Sequence, residues 1–167
     1  MEHINSTEIK RPVFLKVLVV LSCIYIGLSI IGSLGAIIRG PYTTAEIDEA
    51  QVEAYKSIDE MNEVGYTDFA EIMSDSLRIE HFVNDNIYVN SILTLIILGF
   101  GLYGVISMYN GKKRGFHIYI IYNLLASTVI YVSVPMSNVP VTFLMIGLGI
   151  SALFVWMYSR NLKFMKD

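Results

Sequence analysis

The chain has 167 residues, 54% hydrophobic and only 16% charged, against roughly a quarter charged in soluble domains. That composition excludes an ordinary water-soluble globule, which could not bury so much apolar surface at this size. The net charge of −3 is the sum of two opposed regions: residues 40–86 hold twelve acids and two bases, Lys56 and Arg78, for −10, and the remainder holds ten bases and three acids, for +7.

The first apolar run extends from Val13 to Ile38, interrupted only by Lys16, whose long side chain can snorkel to the headgroups. It is longer than the apolar core of a cleaved signal peptide, roughly 7–15 residues. It also continues past Val20-Leu21-Ser22-Cys23, so that tetrapeptide does not read as a lipoprotein processing site. Cys23 is the single cysteine, which excludes an intramolecular disulfide, a CxxC redox pair and a thiolate cluster.

Gly40-Pro41 ends this run, and Thr43-x-x-Glu46 has the form of a capping box, predicting a helix start. Ile47, Ala50, Ala54, Ile58 and Met61 then recur at helical spacing until Gly65. A second helix is predicted from Thr67 or Asp68 to about Phe82, with Phe69, Ile72, Met73, Leu77 and Phe82 as its apolar side, and Asn84-Asp85-Asn86 as the turn that follows. Residues 40–86 thus read as an acidic helical insertion.

Three more apolar runs follow, at 87–108, 116–134 and 139–158. With 13–38 they make four stretches of about 19–26 residues, which as helices reach about 28–39 Å and cover a hydrocarbon core of about 30 Å. The fold class expected is an all-α integral membrane protein: a four-transmembrane-helix bundle with an extracytoplasmic helical hairpin between its first two spans. Nine of the twelve bases fall in three segments: Lys10, Arg11 and Lys16; Lys112, Lys113 and Arg114; and Arg160, Lys163 and Lys166. The positive-inside rule puts these segments, and with them both termini, in the cytoplasm. Tyr88, Tyr103, Tyr109, Trp156 and Tyr158 lie near span ends, where interfacial aromatics are expected.

The most pointed site pattern is in the third span, where Tyr119, Asn123, Ser127 and Tyr131 follow at four-residue steps and share one helix ridge. An unpaired amide in hydrocarbon costs several kcal/mol on transfer scales, so this ridge must face protein or water. Interhelical hydrogen bonding explains it more simply than a polar pathway or ligand site. In the first span Ser22, Tyr25, Ser29, Gly32, Ser33 and Ala36 form a second small or polar stripe, expected to pack on the third span. Asn90, Thr94, Gly101 and Gly104, and likewise Thr142, Gly149 and Ala152, read as helix contacts.

His3, His81 and His117 are too dispersed for one metal, and no mid-membrane histidine pair is present to hold a haem. Asp59, Glu60 and Glu63 belong to a helix rather than to a calcium-wrapping loop. No Asp, Glu, Lys or Arg lies centrally in any span, which weighs against proton-coupled transport. The segment Gly111-Lys112-Lys113-Arg114-Gly115-Phe116-His117-Ile118-Tyr119 resembles the basic, glycine-flanked span entry of small bacterial four-helix membrane proteins. That resemblance implies a bacterial inner membrane and no activity. The single glycosylation sequon, Asn5-Ser6-Thr7, falls on the expected cytoplasmic side. Four-span claudin-like and tetraspanin-like proteins are set aside, because their paired extracellular cysteines are missing here.

The expected function is that of a non-catalytic accessory or assembly protein, without cofactor or metal, contacting partners through its hairpin and helix faces. The alternative is an oligomeric channel or carrier for a small neutral or weakly polar solute. The expected partners are the lipid bilayer and another membrane protein or further copies of the chain, with no nucleic acid. The topology predicts that a cysteine placed at Glu60 is labelled from outside intact cells while one at Lys113 is not; the reverse pattern inverts the orientation.

Overall fold

The computed structural model describes residues 12–166. Lys10, Arg11, His3 and the sequon at Asn5 lie outside the described residues. Six α-helices follow in order: α1 Val13–Arg39, α2 Thr44–Glu63, α3 Thr67–Asp85, α4 Ile87–Tyr109, α5 Arg114–Thr128 and α6 Val141–Ser159. A 3-10 turn, Val129–Val132, prolongs α5, and another, Leu162–Phe164, follows α6. Four helices are long and apolar enough to cross a membrane: α1, α4, α5 with its 3-10 extension, and α6. The chain is a multi-pass helical membrane protein.

The centre of the assembly is α4. It packs against α5 on one side and α1 on the other, while α6 leans on α5 and barely touches α1. The α4–α5 contact is close because both helices present glycine. A Cβ on Gly115 would come within 2.7 Å of the Gly104 carbonyl oxygen and of the Met108 backbone nitrogen, and one on Gly101 within 2.8 Å of the Tyr122 ring. Lipid tails are as apolar as leucine, so spans associate through such packing rather than through hydrophobic burial. The Gly101 and Gly104 face is therefore a helix contact, as its spacing predicts.

Other expectations shift. The α1 stripe packs only in small part against the third span: α1 turns Leu15, Leu18, Ser22 and Ile26 inward, mainly towards α4, Ser22 and Tyr25 border a recess shared with α5, and Tyr25 and Gly32 stay largely exposed. Gly149 and Ala152 also face outward, and Gly149 has no neighbour beside it. The reason is the order α1, α4, α5, α6, which leaves α6 packed along α5 and meeting α1 only near Tyr158. Tyr158 is no interfacial aromatic, since it is completely buried.

The hairpin begins as the capping box requires. The Glu46 amide donates to Thr43 Oγ1 at 3.3 Å, and Thr43 N–H donates to Glu46 Oε2 at 2.7 Å. The Thr43 N–H and hydroxyl, both donating to Glu46 Oε2, hold the Glu46 carboxyl below its usual pKa. Gly65, at φ +86°, makes the turn to α3. Ile47 and Ile58 of α2 and Ala70 and Ile79 of α3 are buried, whereas Phe69, expected on the apolar side, is 66% exposed and meets Tyr66 edge-on at the hairpin tip. Near its C-terminus α3 settles on the turn between α5 and α6, where Ile79, Val134 and Val139 are buried among Phe82, Val83, Tyr131 and Phe143.

Asn84 falls not in the turn after α3 but in its last turn, buried. Its amide clamps the chain leaving α1: Tyr42 N–H donates to Asn84 Oδ1 at 2.8 Å, and Asn84 Nδ2 donates to the Tyr42 carbonyl at 3.0 Å. At the opposite end, Lys166 N–H donates to the Gly111 carbonyl at 2.7 Å and Lys113 N–H to the Lys166 carbonyl at 3.1 Å, folding the segment after α6 back on the basic turn. Met165 is buried there.

Gly115→Val is expected to cost about 1–3 kcal/mol in detergent unfolding, because the backbone opposite cannot yield. Gly149→Ala is expected to be neutral or to stabilise by up to about 1 kcal/mol, the helix-propensity difference. For the cap, the folded-state pKa of Glu46 is depressed, so its contribution is complete above the ordinary glutamate value and lost as pH falls through the lower folded value. Amide-exchange protection in the first turn of α2, taken relative to the intrinsic exchange rate at each pH, should fall over that acidic range and stay constant above it.

Candidate functional site

Between α1, α5 and α6 lies a cavity of about 260 Å³. Its polar lining comes from Ser22 and Tyr25 of α1, from Tyr119, Tyr122, Asn123 and Ser127 of α5, and from Ser151 of α6. The cavity exists because α6 packs on α5 but diverges from α1. Where they do meet, Ser22 Oγ and Tyr158 Oη are 3.0 Å apart.

The α5 ridge supplies the floor. Tyr119 and Asn123 are buried and Ser127 half-buried. Asn123 does not reach across to α1 or α4 in the way an isolated intramembrane amide suggests. Its Nδ2 donates to the Tyr119 carbonyl of its own helix at 2.8 Å, and Ser127 Oγ donates to the Asn123 carbonyl at 2.9 Å. Back-bonding to the carbonyl four residues earlier satisfies donors within one helix. A polar ridge so satisfied can border a cavity without demanding a partner helix. One hydroxyl contact crosses over, Ser127 Oγ to Ser151 Oγ at 3.4 Å.

Tyr131, the fourth residue of the ridge, is not part of the site. From Val129 the helix tightens to 3-10, which advances each residue by about 120° instead of 100° and turns position 131 off the ridge. Tyr131 instead flanks the apolar cluster beneath α3.

An aromatic stack stops the cavity on the side of the basic turn. The Tyr119 and Tyr158 ring centroids are 4.8 Å apart and those of Tyr119 and Tyr122 5.5 Å, spacings typical of favourable aromatic pairs. The Tyr119 phenol also lies beside the side chains of Ser22 and Asn123. The sequence does not single out Tyr122 or Ser151, and it places Tyr158 at the membrane interface rather than at the recess. Tyr122 stands three residues after Tyr119, a helical neighbour, but nothing in the order of residues brings α6 to the same place.

Chemically, the lining offers neutral hydroxyls, phenols and one amide, groups that donate and accept hydrogen bonds without carrying charge. Among the described residues no three His, Cys, Asp or Glu side chains converge as a metal set. Fold and cavity together define a multi-pass helical membrane protein with a polar recess inside the bundle. Compared with family models, curated proteins and solved structures, the chain matches none.

Since the Asn123 amide is bonded to its own helix, Asn123→Leu is expected to change stability by less than about 1 kcal/mol. Tyr158→Phe, which removes the Ser22–Tyr158 hydrogen bond, is expected to cost about 0.5–1.5 kcal/mol. Unfolding of both variants in matched micelles checks the order.

Proposed function

We propose that the chain is a non-catalytic accessory or assembly protein of the membrane, whose α1 and α6 receive a transmembrane helix of a partner subunit or of another copy. The observation that carries this reading is the state of the span glycines. Gly101, Gly104 and Gly115 are filled by a facing helix, whereas Gly27, Gly32 and Gly35 of α1, Gly99 of α4 and Gly149 of α6 have open space where a Cβ would stand; Gly147 borders the recess instead. Each glycine inside a helix costs about 0.5–1 kcal/mol relative to alanine. Within this chain that cost has no return on α1 and α6, and close approach of a further helix supplies one.

In this reading the hairpin, with exposed Val64, Tyr66 and Phe69 at its tip, engages the partner beyond the membrane. The basic ends of the bundle favour both termini in the cytoplasm and the acidic hairpin outside, and the resemblance of residues 111–119 favours a bacterial inner membrane. A solute carrier is the second reading. The polar recess favours it, but the tyrosine stack obstructs one end, so transport would require this chain to assemble into an oligomer.

Photo-crosslinking residues introduced at Gly32 and Gly149 in native membranes should give one discrete adduct each, of twice the chain mass if the partner is a second copy. A control at Leu124, also exposed on a span, should give only lipid adducts. Solute flux through liposomes containing this chain alone, with no adduct at either glycine, would replace the accessory reading by the carrier reading.

A further inference from the structure

A second pocket, of about 370 Å³, lies at the other end of α1, where that helix meets α3 and α4. It is independent of the recess between α1, α5 and α6. Its floor is apolar, made by Ile79, Val83 and Ile87, and its rim carries two charged side chains, Arg39 and Glu80.

These charges do not neutralise each other. Arg39 makes no ion pair with another described residue; the ion pair observed is Arg78 with Asp75, at 3.0 Å. The Arg39 guanidinium instead lies over the Tyr42 ring, 3.3 Å from its centroid. Tyr42 is held in turn by its two hydrogen bonds with Asn84, one donated and one accepted. Glu80 is half-buried, and Gln51 Nε2 donates to its Oε2 at 3.3 Å. The cation and the carboxylate are thus each held by neighbours at the mouth of an apolar recess.

The position in the fold selects the ligand. Arg39 is the last residue of one candidate span and Ile87 the first of another, so the pocket sits at the boundary between hydrocarbon and water. A molecule that uses it must present an anion to Arg39, a cation to Glu80 and apolar groups to the floor, all at bilayer depth. We propose that this pocket binds a primary-amine phospholipid of the phosphatidylethanolamine type, its phosphate on Arg39, its ammonium on Glu80 and the start of its acyl chains on Ile79, Val83 and Ile87. Arginine is suited to the phosphate because its planar fork donates two parallel hydrogen bonds. A primary ammonium can donate to the Glu80 carboxylate; the quaternary ammonium of phosphatidylcholine has no N–H, and phosphatidylglycerol has no cation.

The test is native mass spectrometry of the full chain released from nanodiscs holding equal amounts of phosphatidylethanolamine, phosphatidylcholine and phosphatidylglycerol with matched acyl chains. The wild type should retain phosphatidylethanolamine about tenfold over the other two, the worth of one hydrogen bond to a charged group. Glu80→Gln, which keeps an oxygen for Gln51, should abolish the preference over phosphatidylglycerol. Arg39→Gln should lower retention of all three lipids. Free phosphoethanolamine should not displace the bound lipid, since it has no acyl chains for the floor. Equal retention of phosphatidylethanolamine and phosphatidylcholine by the wild type would overturn the proposal, whatever the variants do. Displacement by free phosphoethanolamine would also overturn it and assign the pocket to a soluble zwitterion.

Discussion

The approach of two backbones at Gly104 and Gly115 is the contact on which the rest of the bundle depends. Within a bilayer no expulsion of water draws helices together, so their arrangement follows from where the surfaces permit close packing. A Cβ on Gly115 would overlap the facing backbone, which restricts this site to glycine and sets α5 tightly on α4. With α1 on the opposite flank of α4, and α6 packed on α5 and meeting α1 only near Tyr158, the four spans form an opened row rather than a closed square.

The recess between α1, α5 and α6 follows from that opening. A buried polar group ordinarily forces a helix to find a partner, yet Asn123 and Ser127 are bonded to carbonyls of α5 itself. The helix can therefore carry hydroxyl and amide groups along a cavity wall without another span closing over them. Closure occurs at one level only, where Ser22 meets Tyr158 and the tyrosine rings stack. Outward glycines on α1 and α6 fit the same picture, as surfaces shaped for a helix that this chain does not contain.

At the opposite end of α1, polar chemistry is organised by a different residue. Asn84 satisfies both the N–H and the carbonyl of Tyr42, so a short connection that would otherwise leave backbone groups unpaired becomes a fixed wall. The same clamp positions the platform on which Arg39 lies. The α3 segment carrying Glu80 is held by burial of Ile79 against Val134 and Val139, so the pocket between Arg39 and Glu80 is bordered by segments that are both tied down.

Residue order alone determined the local features of this protein. Four apolar runs specify four spanning helices because each satisfies its own backbone. Thr43 with Glu46 specifies the start of α2, and Gly65 its turn, because capping and positive φ are matters of a few adjacent residues. Half of the recess was also legible, since Tyr119, Asn123 and Ser127 share a helical ridge. What only the tertiary structure decided is which spans are neighbours. Hydrophobic periodicity says little about partner choice in lipid, where every face is already in an apolar solvent, and the choice rests on ångström-scale fit at Gly104 and Gly115. From that fit come the burial of Tyr158, the arrival of Ser151 at the recess, and the exposure of Tyr25 and Gly32 on the α1 stripe. Tyr131 left its ridge for a related reason: the change to 3-10 winding at Val129 accompanies the packing of that turn beneath α3, a contact between segments about fifty residues apart in sequence.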